Sequence, residues 1–328
     1  MSEMAGMHRL CRAGAVLVML ASTSMQVAAQ SSSDEGAVFL LLPLGAESVA
    51  MGRAVTAMRG QESAFWNPAG LASTSQSKVV LIRGDVAAGI STAASALFAR
   101  PGVGTLGISY LLRDDGNQEF TDIDNNLNGT VSFRNHLAIV SAAGTVLPGL
   151  DAGVNFKVVQ FRRSCRGLCS GLETTATGYA IDAGIQWTPQ AKGPLRVGAM
   201  VAHLGPRFQQ ENSEQADPLP TRIRVAAAYD VLRRLQNADL EGWVSVEVQD
   251  RPGYAGGTSL FIGSEWSAGS SDALTVRAGY GTNGDQPSGM SIGVGLRFER
   301  FDISVAKSLA GSVAGLPEPV DVSFSLVF

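Results

Sequence analysis

Charged residues are scarce in this 328-residue chain, with Asp, Glu, Lys and Arg at 16% against roughly 25% in soluble domains. Long apolar runs are missing too. Beyond the N-terminus none reaches the roughly 18 residues of a membrane-spanning helix, although 45% of the chain is hydrophobic. The first shortage argues against an ordinary soluble domain and the second against a helical membrane protein. Apolar groups spread along strands that face lipid satisfy both. Histidine is also rare, with three residues, and neither His136 nor His203 stands beside a nucleophile motif or a readable carboxylate partner. Acid–base or nucleophilic catalysis is therefore not expected. No phosphate loop, zinc spacing or haem motif is present, so no cofactor is expected. The net charge of −4 and the lack of a basic cluster exclude a nucleic-acid partner. Aromatics, at 7%, leave only thin interfacial girdles for a barrel.

The N-terminus reads as a secretory signal over residues 1–29, with His8, Arg9 and Arg12, an apolar run from Ala13 to Leu20, and Val27-Ala28-Ala29 as the cleavage site. A retained anchor is disfavoured by the shortness of that run. Cleavage removes Arg9, Arg12 and Glu3, so 25 basic and 29 acidic groups become 23 and 28, a net charge near −5. Cys11 leaves with the signal, and Cys165-Arg166-Gly167-Leu168-Cys169 remains. In an exported chain so close a pair in a loop is expected as a disulfide, because a metal site needs further ligands. The run Asp122-Ile123-Asp124-Asn125-Asn126 offers calcium-compatible oxygens without the full loop pattern, and reads as a solvated loop. No metal site is expected.

What the chain does have is period two. Val320, Val322, Phe324, Leu326 and Phe328 share one face and Asp321, Ser323 and Ser325 the other. The same alternation recurs around Ile181–Trp187, Thr221–Tyr229 and Leu274–Tyr280. About 14 strands follow, near 78–86, 88–99, 103–113, 131–146, 150–161, 174–188, 195–204, 220–231, 240–249, 257–267, 273–280, 288–298, 301–307 and 320–328. A soluble sandwich alternates as well, but here short turns (Arg100–Gly102, Leu147–Gly149, Pro189–Pro194, Glu299–Arg300) alternate with longer polar stretches (Asp114–Thr130, Arg162–Glu173, Gly205–Leu219, Ser308–Pro319). Bacterial barrels have this pattern, with turns on the periplasmic side and loops outside. Glycine is abundant, 38 residues, and Gly289, Gly293 and Gly295 lie inside strand-like stretches, where they weaken a helix reading and allow close strand packing or bends.

Charges on the lipid side cost roughly 2 to 4 kcal/mol for Arg or Lys at the midplane. The lumen is therefore the expected place for Arg134, His136, Lys157, Asp182, Arg222, Arg224, Glu247, Glu265, Arg277, Arg297, Glu299 and Asp321. They read as ion pairs filling the lumen or, alternatively, as a lining that contacts cargo.

Residues 36–72 do not alternate. They are rich in small residues from Ala46 to Met58, and Pro68 stops whatever precedes it. A compact element of this kind suits a plug in the lumen, a periplasmic tail being the alternative. Pro43, Gly45-Ala46, Met51-Gly52, Ala54, Ala57 and Trp66-Asn67-Pro68-Ala69-Gly70-Leu71 resemble the N-terminal signature of the PorV/PorQ family, within the wider FadL-like outer-membrane barrels. Leu219-Pro220-Thr221 leading into Ala226–Tyr229 is similar to a second, weaker family segment. The chain departs from the family at Gln61-Glu62, where an acidic pair is common, and in its close cysteine pair.

The resemblance implies an all-β transmembrane antiparallel barrel of 14 strands, residues 77–328, with an N-terminal hatch, residues 30–76, in the outer membrane of a Gram-negative cell. It implies a non-enzymatic role in secretion or surface attachment, with exported clients, secretion components and membrane lipid as partners. The alternative within the same superfamily is transport of hydrophobic small molecules, with Phe39, Leu40, Leu41, Leu42, Met51 and Phe65 as candidate lining residues.

Overall fold

The computed structural model describes residues 35–328 except 87–88, 125, 170, 191–192, 211–215, 236–238, 253–257, 270–271, 283–288 and 310–318. The signal-peptide reading lies outside the described residues.

Among the described residues sixteen strands follow one another: β1 Lys78–Val86, β2 Gly89–Arg100, β3 Gly104–Thr121, β4 Leu127–Leu147, β5 Leu150–Gly167, β6 Thr174–Trp187, β7 Leu195–Leu204, β8 Phe208–Gln209, β9 Ala216–Asp217, β10 Arg222–Asp230, β11 Leu240–Asp250, β12 Ser259–Ala268, β13 Ala273–Gly281, β14 Gly289–Phe298, β15 Phe301–Ser308 and β16 Val320–Val327. Strands β8 and β9 form a small ladder of their own, and the other fourteen form one closed antiparallel barrel. Closure comes from pairing β1 with β16, Val80 opposite Ser325 and Ile82 opposite Ser323. Where its ladders are continuous, a closed sheet has no free edge, so the strands satisfy their backbone without water.

The outward face is apolar, and its aromatics fall in two rings. Phe98, Trp187, Trp266, Phe298, Phe301 and Phe328 lie toward the end carrying the short turns, and Tyr110, Tyr179 and Tyr280 toward the end carrying the loops. Their placement matches the interfacial girdles of membrane barrels, thin as the composition requires.

Two stretches expected as loops are instead strand. β3 and β5 run for 18 residues and β4 for 21, taking in most of Asp114–Thr130 and Arg162–Gly167. Pairing needs only backbone groups, so a ladder continues past the apolar belt while its side chains turn polar, and composition alone reads such a stretch as loop. Cys165 and Cys169, at the tip of this extension, are bonded. Asp122 caps the neighbouring tip, accepting from the amides of Asp124 and Asn126, each at 2.9 Å, and from Asn126 Nδ2 at 3.1 Å. The Asn126 amide, above all, holds the Asp122 carboxyl below the usual range. The Asp122 carboxylate, part of the run read as calcium-compatible, is thus engaged by groups of the loop itself.

The N-terminal segment sits inside the barrel. A 3-10 turn Val38–Leu41, the short helix α1 Ala46–Ala50 and a 3-10 turn Pro68–Ser73 are its regular parts. Helix α1 lies against β13–β16, and Pro68–Ser73 against β3–β6. Inward glycines let the backbones touch. A Cβ on Gly279 would stand 2.0 Å from the Gly52 amide nitrogen, and one on Gly198 2.3 Å from the Thr56 carbonyl oxygen.

Candidate functional site in the barrel interior

The plug is held by side chains that reach from the wall to its irregular backbone. Gln186 Nε2 donates to the carbonyls of Thr56 (3.0 Å) and Met58 (2.7 Å), and Asn155 Nδ2 donates to that of Ala64 (2.9 Å). Glu247 accepts from the Thr56 amide at 2.8 Å, and Ser323 Oγ from the Ala46 amide at 2.9 Å. These bonds replace the water that an irregular segment otherwise needs. Glu35, where the described plug begins, is gripped by Arg222 and Arg251, each at 2.8 Å.

The motif residues organise the plug from within. Asn67 accepts the Ala69 amide, starting the turn Pro68–Ser73, and donates to the carbonyls of Thr56 (2.7 Å) and Ile185 (3.2 Å). Trp66 Nε1 donates to Leu44 O at 3.0 Å, and the Arg224 guanidinium lies 4.9 Å over its ring. Glu62 accepts from the amides of Glu47 and Ser48, from Ser48 Oγ, and from Ser323 Oγ at 2.5 Å. It satisfies the first turn of α1 from across the plug. Gly45, with φ 96°, is where a Cβ would meet that carboxylate. Gly52 touches the wall at Gly279, a Cβ on Gly70 would meet Ser63, and Pro43 follows the first 3-10 turn. Replacing Asn67 by alanine strands the buried Ala69 amide and removes one of the two donors to the Thr56 carbonyl, and should cost about 1 to 3 kcal/mol. Hydrogen exchange would read this as faster opening of Thr56–Ala69 in a barrel whose strand amides stay protected. Unchanged exchange would remove Asn67 from this role.

Around the plug the lumen has two unlike sides. On β1–β6 the inward face carries Val80, Ile82, Leu97, Leu111, Leu137, Ile139 and Val159, which pack with Phe39, Leu44 and Leu71 of the plug. On β10–β16 it carries Arg222, Arg224, Glu247, Glu265, Arg277 and Asp321. Arg277 pairs with Glu265 at 2.7 Å and approaches Glu47 at 3.7 Å, and Arg224 lies 4.0 Å from Glu247.

Three of the residues expected in the lumen lie elsewhere. On β4 the inward positions are Val131, Asn135, Leu137 and Ile139, so Arg134 and His136 face outward. Here the inner wall is apolar, and charge marks the wrong face. Glu299 sits exposed in the tight turn after β14. Arg297 keeps the inward parity but lies half-exposed at the turn end, 3.3 Å from Asp302. Of the candidate lining residues, Phe39 belongs to the apolar side and Leu40, Leu42 and Phe65 pack against it. Leu40–Leu42 and Phe65 also line a cavity of about 20 Å³. Met51 packs elsewhere, with Ala57, Met58, Ala226, Ala228 and Trp243.

The two sides meet at a buried cluster centred on Asp182. Its carboxylate takes Lys157 Nζ at 2.5 Å, Asn155 Nδ2 at 2.9 Å and the His203 amide at 2.8 Å, while Lys157 Nζ lies 3.3 Å from His203 Nδ1. Lys157, Asp182 and His203 are all buried. The carboxylate partner of His203, 21 residues distant, is invisible to local sequence, and only the shared inward parity of Lys157 and Asp182 hinted at it. The wall is irregular at this point. His203 has φ 59°, the β6–β7 pairing slips between Ile181 and Ala183, and β7 pairs β6 only from Ile181 to Trp187. Above the slip β6 is backed by Phe208, whose ring lies where a Cβ on Gly178 would be, and by Leu219. Phe208 and Leu219, from the connection between β7 and β10, cover the inner face of β6 there, where its ladder to β7 stops.

Compared with solved structures, this arrangement is similar to the Ralstonia pickettii toluene transporter TbuX, at 15% identity and TM-score 0.58 over 89% of this chain and 100% of that one. The Pseudomonas putida toluene transporter TodX is similar at 13% identity and TM-score 0.58, over 87% and 98%. The chain shares the fold of these barrels. A Pseudomonas aeruginosa FadL homologue aligns at 9% identity and TM-score 0.57 over 88% and 99%. No protein-family profile and no curated sequence matches the chain. At these identities the likeness concerns the fold, and the PorV/PorQ resemblance stays with the plug motif.

Proposed function

We propose that this protein carries small uncharged hydrophobic molecules across the outer membrane of a Gram-negative cell, along the apolar side of its lumen. The carrying observation is the inward-facing row Leu111, Leu137, Ile139 and Val159 against Phe39 of the plug. A barrel that conducts water and ions has a polar interior; here the wall is apolar and is covered by apolar residues of the plug, so a path opened by a shift of the plug would suit a hydrophobic molecule. The cations nearest this wall face carboxylates, Arg113 with Asp115, Lys157 with Asp182 and Arg224 with Glu247, and the Arg224 guanidinium also lies over the Trp66 ring. That favours neutral cargo over anionic cargo.

The plug would shift to open the path, and the wall where the β6–β7 ladder stops offers a sideways exit into lipid. The apolar belt supports a membrane position for the barrel, with the short turns toward the periplasm and the loops toward the outside. The toluene transporters that share the fold support this reading over secretion, which rests on the plug motif alone.

A photoreactive benzene-type probe tests it. Labelling should fall on peptides of β3–β5 and of Phe39–Phe65 and be competed by the unreactive parent compound. Labelling confined to the outer belt would contradict the proposal, as would retention of exported proteins in the periplasm of a deletion strain.

A further inference from the structure

The residues that face the wrong way for a lumen network form a site of their own. Arg134 on β4 and Arg162 on β5 are directly cross-strand, both outward and both exposed. Two like charges so placed repel, and one carboxylate, Asp114, reaches the pair, at 3.2 Å from Arg134 Nε. The Arg162 side chain has no hydrogen bond or ion pair with a described residue, its backbone being held in the β4–β5–β6 ladders. On the far side of Asp114 lies an outward groove of about 390 Å³, floored by Ile90, Thr92 and Leu112 and closed at its other end by Arg83, also exposed and without an ion pair among the described residues. Asp85 and Glu119 lie on the flanks of this face without reaching the pair.

The level of these arginines decides what they would meet. Descending the same face, Ala138 and Val140 on β4 and Val158 and Phe156 on β5 belong to the apolar belt, whose upper edge carries Tyr110 and Tyr179. Tyr110 Oη bonds His136 Nδ1 at 2.6 Å, one step below Arg134. The guanidinium row therefore stands just above the lipid edge on the loop side, where headgroups lie.

We propose that Arg134 and Arg162 clamp a phosphate of a phosphorylated lipid headgroup in the outer leaflet, with Arg83 bordering the groove beside it. Guanidinium matches phosphate with paired hydrogen bonds, the anion removes the Arg134–Arg162 repulsion, and the acyl chains follow the belt below. The inference rests on the outer-membrane reading.

The test uses the full-length protein in phosphatidylcholine nanodiscs, with bisphosphorylated lipid A, the same lipid stripped of phosphate, and inorganic phosphate as probes. R134Q/R162Q is the test variant and R100Q, at the opposite end of the barrel, the control. The wild type and R100Q should retain lipid A, and the double variant should bind it at least about tenfold more weakly, the loss for one charge-assisted interaction. Dephosphorylated lipid should be held weakly by all three. Equal retention by the double variant, or equal retention of dephosphorylated lipid, would overturn the site, and displacement by inorganic phosphate would make it a free-anion site. Failure to enter the nanodisc would instead overturn the membrane reading and this proposal with it.

Discussion

Replacing Gly279 by valine should unseat the plug while leaving the barrel closed. The added Cβ would fall 2.0 Å from the Gly52 amide nitrogen and 2.2 Å from the Met51 carbonyl carbon. Both are backbone atoms in a segment fixed by helix α1 on one side and by Thr56 on the other. No rotamer can relieve that overlap, so the cost should reach about 3 kcal/mol or more, the upper range for overpacking. Strand β13 makes its ladder bonds to β12 and β14 regardless of what lies inside. The readout is a Thr56→Cys background, where a residue that is fully buried in the intact plug becomes open to a maleimide. Rapid labelling is expected in G279V and slow labelling in A278V, whose side chain faces outward, with the folded-barrel band intact on unheated gels in both. Equal protection in both variants would mean that the plug does not rest on this glycine.

The second large effect is expected at the buried cluster. Replacing Asp182 by leucine leaves Lys157 as an uncompensated charge beneath the surface and frees the His203 amide and Asn155 at once. Breaking one member of such a pair costs about 3 to 5 kcal/mol, and the temperature at which the barrel band is lost should drop accordingly. The double variant K157M/D182L should recover a large part of that loss, because a well-packed apolar pair removes the stranded charge. The reverse order, with the double variant no better than D182L alone, would show that the cluster holds the β6–β7 slip through hydrogen bonds to Asp182 and not through charge balance.

How much of this was legible depends on which signal each part used. The barrel was written in period two, and the final strand shows why: Asp321, Ser323 and Ser325 point in and Val322, Phe324 and Leu326 point out, so its polarity and its parity agree. On β4 they disagree. Leu137 and Ile139 point in and Arg134 and His136 point out, because one wall of the lumen is apolar and the outward face at that level has already left the lipid. Polarity alone then assigns the faces backwards. The parity was recoverable only from neighbouring strands, for instance from Arg134 opposite Asp114 on β3.

The plug motif was legible as a motif, and its physical content was not. Asn67 works through carbonyls at Thr56 and Ile185 that no local pattern ties to it. Glu62 caps helix α1 from 14 residues away, and Gln186 reads from sequence as one more polar strand residue. Close approach explains part of the glycine content, since Gly153, Gly184, Gly198, Gly263 and Gly279 all have plug atoms where a Cβ would go.

The most direct test of the account is uptake of a radiolabelled monoaromatic hydrocarbon by a deletion strain carrying the wild-type gene, the L137E variant or no gene. Placing a carboxylate on the apolar inner wall should abolish entry without disturbing the barrel band, so that L137E cells accumulate no more than cells lacking the protein. Uptake in the L137E strain equal to wild type, or wild-type uptake equal to that of the deletion, would contradict a path along this wall.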